Sequence, residues 1–100
     1  MKIISTPPLR KFSAKYPDGH SAINLWESKA KSARWRSPAE IKAEFSSASF
    51  VANNRVVFNI GGNKYRLIVA IAYRIGVIYI KFIGTHAQYD AVDAATVEME

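Results

Sequence analysis

The sequence predicts one α+β domain in which helices pack on one face of an antiparallel sheet. Two features lead to this expectation. The length of 100 residues is that of a single ordinary domain, and the patterning changes halfway along the chain. The first half spaces apolar residues as amphipathic helices do, whereas the second half holds runs rich in Val, Ile, Tyr and Phe that turns separate. We therefore expect residues 1–100 to form one domain.

A short strand and a first helix are predicted at the start of the chain. Lys2–Ser5, with Ile3 and Ile4 at its centre, is expected to form a short first strand. Thr6-Pro7-Pro8 is typical of a helix start, because threonine caps free N–H groups and proline at the first helical position loses no hydrogen bond. Pro17 disfavours helical geometry in the residue before it. The helix should therefore end near Tyr16, and Pro17-Asp18-Gly19 should form a turn.

Two further helices are predicted before the sheet begins. Over residues 21–35 apolar side chains recur at helical spacing, so we expect Trp26 in the core and Trp35 partly exposed. Ser37-Pro38-Ala39-Glu40 is typical of a capping box and should start a short helix that ends near Phe45, followed by a loop. The apolar positions of the longer helix are Ile23, Trp26, Ala30 and Ala33.

The second half predicts a three-stranded antiparallel meander and a final helix. Short turns at Gly61-Gly62-Asn63 and around Ile75-Gly76 separate the strands, and connections this short join antiparallel neighbours. Thr85-His86-Ala87-Gln88 is typical of a second capping box and predicts a helix over about Ala87 to Ala94. The strands are expected at residues 55–60, 64–74 and 76–84.

Strand alternation separates an apolar face of this sheet from a basic one. The helices are expected to cover the apolar face, on which strict alternation also places Phe82, with Ile83 on the opposite side. No Asp or Glu lies between Arg55 and Tyr89, so the cations of the second face are uncompensated and should attract polyanions. This face should be open in the free protein. Its polar residues are predicted to be Arg55, Lys64, Arg66, Arg74, Tyr79 and Lys81.

The net charge of +6 and the sequence pI of about 9.8 point to nucleic acid, an anionic membrane surface or an acidic protein as partner. Nucleic acid is favoured because the cations gather on one face, and an ordinary solvated face is the alternative. The longest apolar run, Leu67–Tyr73, is far shorter than the roughly 20 residues of a membrane helix. The N-terminus lacks a signal-peptide pattern and the chain has no cysteine, so a soluble, cytoplasmic protein is expected.

Two segments of the second half resemble the HigB family of toxins, a branch of the RelE-like mRNA interferases. They are Arg-Val-Val-Phe-Asn-Ile-Gly-Gly-Asn-Lys-Tyr-Arg-Leu at residues 55–67 and Lys-Phe-Ile-Gly-Thr-His-Ala-Gln-Tyr-Asp at residues 81–90. With the opening Ile-Ile-Ser and the helix from Trp26 to Trp35, the resemblance covers nearly the whole chain.

The resemblance implies a RelE-like fold and an endoribonuclease that cuts mRNA, typically on the translating ribosome. It also implies a HigA-type antitoxin, a helix-turn-helix protein that blocks the toxin and represses the operon. The toxin would then meet operator DNA only through the antitoxin.

The resemblance also marks four candidate catalytic residues, Arg66, Lys81, His86 and Tyr89. Metal-independent RNA cleavage needs a ribose 2′-hydroxyl to lose a proton, a phosphate to have its charge stabilised and a leaving oxygen to gain a proton. Arg66 is suited to the phosphate, because a guanidinium binds two of its oxygens at once. His86 is suited to acid or base work and Lys81 to base work. Tyr89 is suited to stacking on a base or donating a proton.

The other polar residues of the basic face are predicted to bind RNA: Arg55, Lys64, Arg74 and Tyr79. No metal site or cofactor is predicted, on the ground that neither His20 nor His86 has a His or carboxylate neighbour at ligand spacing. Two candidates have structural alternatives, His86 as the cap of the final helix and Tyr89 as a core aromatic. For the function, the alternatives are a non-catalytic basic RNA-binding module and a domain that binds an acidic protein.

Overall fold

The computed structural model describes residues 1–99 and has the α+β architecture predicted from the sequence. Its elements are β1 (Lys2–Ile4), α1 (Pro7–Lys15), α2 (His20–Ser32), α3 (Pro38–Glu44), β2 (Ser49–Val51), β3 (Arg55–Ile60), β4 (Tyr65–Ala72), β5 (Val77–Thr85) and α4 (His86–Asp90). The strands form one sheet in the order β1-β5-β4-β3-β2. β1 is parallel to β5 and the other neighbours are antiparallel, which confirms the meander.

The strand β2 was not predicted from the sequence. Ser49 lies opposite Val57 and Val51 opposite Arg55 in an antiparallel pair. The turn that joins the two strands contains Asn53 and Asn54, both at positive φ, a conformation that asparagine adopts more readily than most residues. Three residues are too few for alternation to show, so only the pairing with β3 identifies this strand.

The helices cover one face of the sheet, as predicted, and the largest core lies between them. Leu9 and Phe12 of α1 and Ile23 and Trp26 of α2 are buried there. Phe58 of β3 lies at the aromatic centre of this core, because its ring packs against three aromatic rings from the helical half. Their ring centroids are 5.1 to 6.2 Å from that of Phe58, and they belong to Trp26, Trp35 and Phe45.

Trp35 corrects the sequence-based expectation of partial exposure, because its side chain is buried. α2 ends at Ser32 and the chain becomes extended at Ala33, three residues earlier than predicted. The indole then turns into the core, where its Nε1–H donates to Glu44 Oε1 at 3.1 Å. The indole can therefore be buried without leaving its single N–H donor unpaired, because Glu44 accepts the hydrogen bond.

A β-bulge in β5 overturns strict alternation beyond Ile80. Ile68 of β4 lies opposite Phe82, but the next residue, Val69, lies opposite Ile80, so Lys81 has no partner on β4. The extra residue reverses the faces on its far side. Ile83 therefore joins the helix-covered core, and the predicted positions of Phe82 and Ile83 are interchanged.

The second face of the sheet is partly covered, contrary to the prediction that it is open. Helix α4 is shorter than predicted, and the segment that follows it, residues 91–99, lies across this face. Its apolar side chains, with that of Tyr89, pack on a second small core formed by Val57, Ile68 and Phe82. The bulge is one cause of this covering, because it places the apolar ring of Phe82 on the second face, and burial of that ring away from water is favourable. The covering apolar residues of the segment are Val92, Ala94 and Val97.

No helix within residues 1–99 is long and apolar enough to cross a membrane.

Candidate active site

Arg66, His86 and Tyr89 converge where β4 begins and β5 ends. Arg66 lies opposite Gly84 of β5, on the face away from the main helices. Its guanidinium carbon is 5.9 Å from the centroid of the Tyr89 ring. The rings of His86 and Tyr89 are 6.4 Å apart and nearly perpendicular. The structure thus gathers three of the four predicted catalytic residues at one place.

The turn from β5 into α4 depends on two local features. Thr85 Oγ1 accepts a hydrogen bond from the backbone N–H of Gln88 at 3.2 Å, and Gln88 Oε1 accepts one from that of Thr85 at 2.9 Å. This reciprocal pair confirms the predicted capping box. A Cβ at Gly84 would lie 2.6 Å from Phe82 Cζ and 2.8 Å from Gln88 Oε1. Glycine at 84 therefore lets the helix begin directly beside Arg66.

His86 is not the helix cap, because Thr85 fills that position. The imidazole Nδ1 is instead 3.1 Å from Asp90 Oδ2, one helical turn later. A carboxylate there accepts the Nδ1–H and leaves Nε2 as the atom available to a substrate. The side chain of His86 is 54% exposed. Asp90 was not predicted as a partner of His86, although their i,i+4 spacing on a predicted helix is a usable signal.

Arg66 keeps its charge available to a ligand. Its guanidinium donates to the backbone carbonyls of Asn63 at 3.0 Å and Tyr65 at 3.2 Å. These bonds orient the group without neutralising it. Among residues 1–99 no carboxylate oxygen lies within 4.0 Å of it. The half-buried guanidinium is therefore an oriented cation suited to a phosphate group.

Lys81 and Tyr79 form a second cluster farther along β5. Lys81 Nζ is 5.7 Å from the centroid of the Tyr79 ring and 2.9 Å from Glu98 Oε1. Hydrogen bonds from Lys81 and Arg55 lower the pKa of the Glu98 carboxyl. Lys81 is three residues from Gly84, which corresponds to roughly 10 Å of strand at about 3.3 Å per residue. This predicted catalytic lysine is therefore offset from the three gathered residues.

Arg55 lies on the predicted face of the sheet, but it is buried beneath the segment 91–99 and not exposed as predicted. Its guanidinium donates to the carbonyls of Ala94 and Val97 and to Glu98 Oε2. Three acceptors around one buried cation are what a structural role requires. We therefore interpret Arg55 as a structural residue whose hydrogen bonds hold this segment on the sheet.

Lys64 and Arg74 do not lie on the predicted face, because β4 is shorter than the run from which they were assigned. Lys64 precedes the strand, and its Nζ is 3.1 Å from Asp18 Oδ2, beside the turn before α2. Asp18 also accepts a hydrogen bond from the hydroxyl of Tyr65 at 2.6 Å, which raises the pKa of Tyr65 to about 12. Arg74 follows the strand and lies at its opposite end, beside the last turn of α2.

Replacement of Arg55 tests its structural role. We expect Arg55→Ala to lower the free energy of unfolding by about 2–3 kcal/mol. A hydrogen bond to a charged group contributes about 1.5–3 kcal/mol, but the three bonds share one guanidinium and do not add, and the exposed Glu98 can be resolvated. The measurement is urea denaturation, with the exposed Arg74→Ala as the control. Unchanged stability together with weakened RNA binding would instead support the sequence-based assignment of Arg55 as an RNA contact.

Within residues 1–99 no group of three or more His, Asp or Glu side chains is gathered closely enough to hold a metal ion.

Comparison with known proteins matches residues 20–92 to the family described as HigB_toxin, the RelE-like toxic component of a toxin-antitoxin system. The mRNA interferase HigB of Escherichia coli O6:H1 is 30% identical over 92 residues, which cover 90% of this chain and 89% of that protein. The mRNA interferase toxin HigB of Escherichia coli K12 is 26% identical over 90% of this chain and 88% of its own length. The matched range, residues 20–92, contains the positions of Arg66, Lys81, His86 and Tyr89.

Proposed function

Because this chain belongs to the HigB family of RelE-like toxins, we propose that it is an endoribonuclease that cleaves mRNA. The observation that carries the proposal is the convergence of Arg66, His86 and Tyr89 on one side of the sheet. An oriented cation, an imidazole and a phenol at one place are the groups that phosphodiester cleavage through the ribose 2′-hydroxyl needs.

In the proposed reaction His86 Nε2 takes the proton of the 2′-hydroxyl. The freed oxygen attacks the adjacent phosphorus, and the bond from phosphorus to the 5′-oxygen breaks. Arg66 stabilises the negative charge that builds up on the phosphate oxygens. The leaving 5′-oxygen gains a proton, and Tyr89 is the neighbouring phenol that is suited to supply it. Asp90 holds the imidazole in the tautomer that presents Nε2.

Lys81 and Tyr79 contact the RNA beyond the cleaved bond in this proposal. They lie on the same side of the sheet as Arg66, so a strand of RNA that crosses from Arg66 along β5 would reach them. In the free protein the Glu98 carboxylate forms an ion pair with the Lys81 ammonium. A backbone phosphate of the RNA would replace that carboxylate. The sequence-based assignment of Lys81 as a catalytic base stays a prediction, and that role also requires Glu98 to leave the Lys81 ammonium.

We also propose that the protein acts in the cytoplasm on mRNA held by translating ribosomes, and that a HigA-type antitoxin neutralises it. The net charge of +6 supports association with polyanions such as ribosomal RNA. The family's description as one component of a toxin-antitoxin system supports a dedicated antitoxin. Operator DNA would be reached only through that antitoxin.

Expression of the chain in bacteria tests the proposal. We expect growth arrest and cleaved mRNA in a translating extract, and we expect co-expression of the adjacent antitoxin gene to restore growth. Parallel reactions of the protein with ribosome-bound mRNA and with naked mRNA show whether the ribosome is required. Salt-sensitive RNA binding without cleavage, by folded protein on active ribosomes, would instead support the non-catalytic RNA-binding module.

A further inference from the structure

A basic groove lies at the end of the sheet opposite the candidate active site. It is open to solvent, has a volume of about 1010 Å³, and is bordered by the C-terminal turn of α2, the segment that follows it and the turn between β4 and β5. Arg66 is near the start of β4 and this groove lies beyond its end. The strand has 8 residues, or roughly 26 Å at about 3.3 Å per residue, so the two sites are separate. The residues that line the groove include Met1, Lys31, Arg34, Arg36, Tyr73 and Arg74.

The charge of this groove is of one sign. No Asp or Glu is among the residues that line it within the described chain. Lys31 and Arg36 each have a carboxylate four residues away in sequence, at 3.8 and 3.7 Å. These pairs are long and the cations are mostly exposed, so the pairs neutralise little charge. Arg34 and Arg74 have no carboxylate oxygen within 4.0 Å in residues 1–99.

The end of α2 does not repel an anion here, although the C-terminus of a helix is its negative end. The ammonium of Met1 donates to the carbonyl oxygens of Ala30, Lys31 and Ala33 at 3.2, 2.8 and 2.9 Å. These acceptors are therefore occupied by a cation that belongs to the protein. The remaining charge of the groove comes from side chains that extend into solvent.

We propose that this groove binds the phosphodiester backbone of RNA outside the cleavage site. Three of its four cationic side chains are arginines, whose planar guanidinium pairs with two phosphate oxygens at once. The half-buried ring of Tyr73 offers a surface on which a base can stack. An acidic peptide would use the cations but not this ring. The volume also exceeds what a single phosphate ion needs, so several linked groups fit it better. The choice of RNA as the polyanion rests on the proposed function.

Charge reversal in the groove tests this inference. The variant is Arg34→Glu/Arg74→Glu, and the matched control is Lys11→Glu/Lys15→Glu on the exposed side of α1, which changes the net charge equally. The probe is a fluorescein-labelled single-stranded RNA with 2′-O-methyl riboses, which cannot be cleaved through its 2′-oxygens. Anisotropy titrations over a salt series measure affinity, and circular dichroism checks folding.

We expect the groove variant to bind at least about tenfold more weakly than the parent. The slope of log affinity against log salt should fall by roughly 1.4, because each lost single-strand phosphate contact removes about 0.7. The control should keep the parent slope. Equal losses in the two variants would show a bulk charge effect and overturn the proposal. Unchanged RNA affinity in the groove variant, with or without lost affinity for a polyglutamate peptide, would also overturn it.

Two additional measurements keep the result unambiguous. Arg34→Gln/Arg74→Gln removes the charges without introducing carboxylates, so it replaces the reversal variant if that variant does not fold, and it should lose affinity in the same direction. Cleavage of translated mRNA is measured separately. A parent protein that binds the probe through the groove but never cleaves mRNA would contradict the proposed function and leave the groove as an RNA-binding site.

Discussion

Arg66→Ala should slow mRNA cleavage by roughly a hundred- to a thousand-fold while substrate binding is largely retained. Loss of one group that stabilises transition-state charge typically has an effect of about this size. The guanidinium is held by the Asn63 and Tyr65 carbonyls and is not paired with a carboxylate among residues 1–99, so its charge is directed at a ligand. The measurement is single-turnover cleavage at saturating ribosome–mRNA complex.

Two variants serve as controls for Arg66. Arg66→Lys should rescue poorly, because an ammonium cannot reproduce the bidentate guanidinium. Lys64→Ala removes a neighbouring cation that pairs with Asp18 outside the site, and the bound-state rate should change little. If Arg66→Ala cleaves at nearly the parent rate once it is saturated, Arg66 is a binding residue and another group stabilises the phosphate.

His86→Ala should lower the cleavage rate by about a hundred- to ten-thousand-fold, the range typical of a lost general acid or base. Its Nδ1 is engaged by Asp90 and its other nitrogen is accessible, which is the arrangement of an oriented base. Asp90→Asn should have a smaller effect, because the imidazole remains but its orientation and tautomer are less well fixed. The rates are measured at saturating substrate across pH 5 to about 9.

Gln88→Ala is the control for the local structure around His86. It removes one half of the capping box but no proposed proton acceptor, so it should reduce stability more than catalysis. Parent-like cleavage by His86→Ala would assign the base role to Lys81, and Lys81→Ala should then lose activity. Loss of activity in Gln88→Ala that equals the loss in His86→Ala would show that the helix position, and not the imidazole, matters.

The sequence was most informative where a feature depends on near neighbours. The capping box at Thr85 and the turns of the meander follow from a few adjacent residues, and the structure confirms them. The caps predicted at Thr6 and Ser37 were wrong in detail, because both helices start there but neither side chain accepts a capping hydrogen bond. The bulge at Lys81 has no local signal, because Ile80, Lys81 and Phe82 alternate regularly and only the register with β4 reveals the extra residue. The assumption of unbroken alternation is what misled the assignment of Phe82.

The candidate site likewise combines features that depend on near neighbours with features that depend on distant residues. Arg66, His86 and Tyr89 were chosen from residue type and family resemblance, and their gathering depends on a strand end and a helix start that the sequence predicts. The burial of Arg55 was not predictable, because its partners in residues 94–98 are about forty positions away. Long-range contacts of this kind decide whether a basic residue faces solvent or the interior.

The parallel pairing of β1 with β5 has a consequence for how the protein is made. Lys2 lies beside Val77, so β1 cannot join the sheet until β5, 75 residues later in the chain, has been synthesised. Closing so long a loop has an entropic cost and slows folding relative to the local hairpins of the meander. The residues of the candidate site come from the same late part of the chain. A nascent chain on the ribosome therefore has neither a finished sheet nor an assembled site until residues 77–90 have been synthesised.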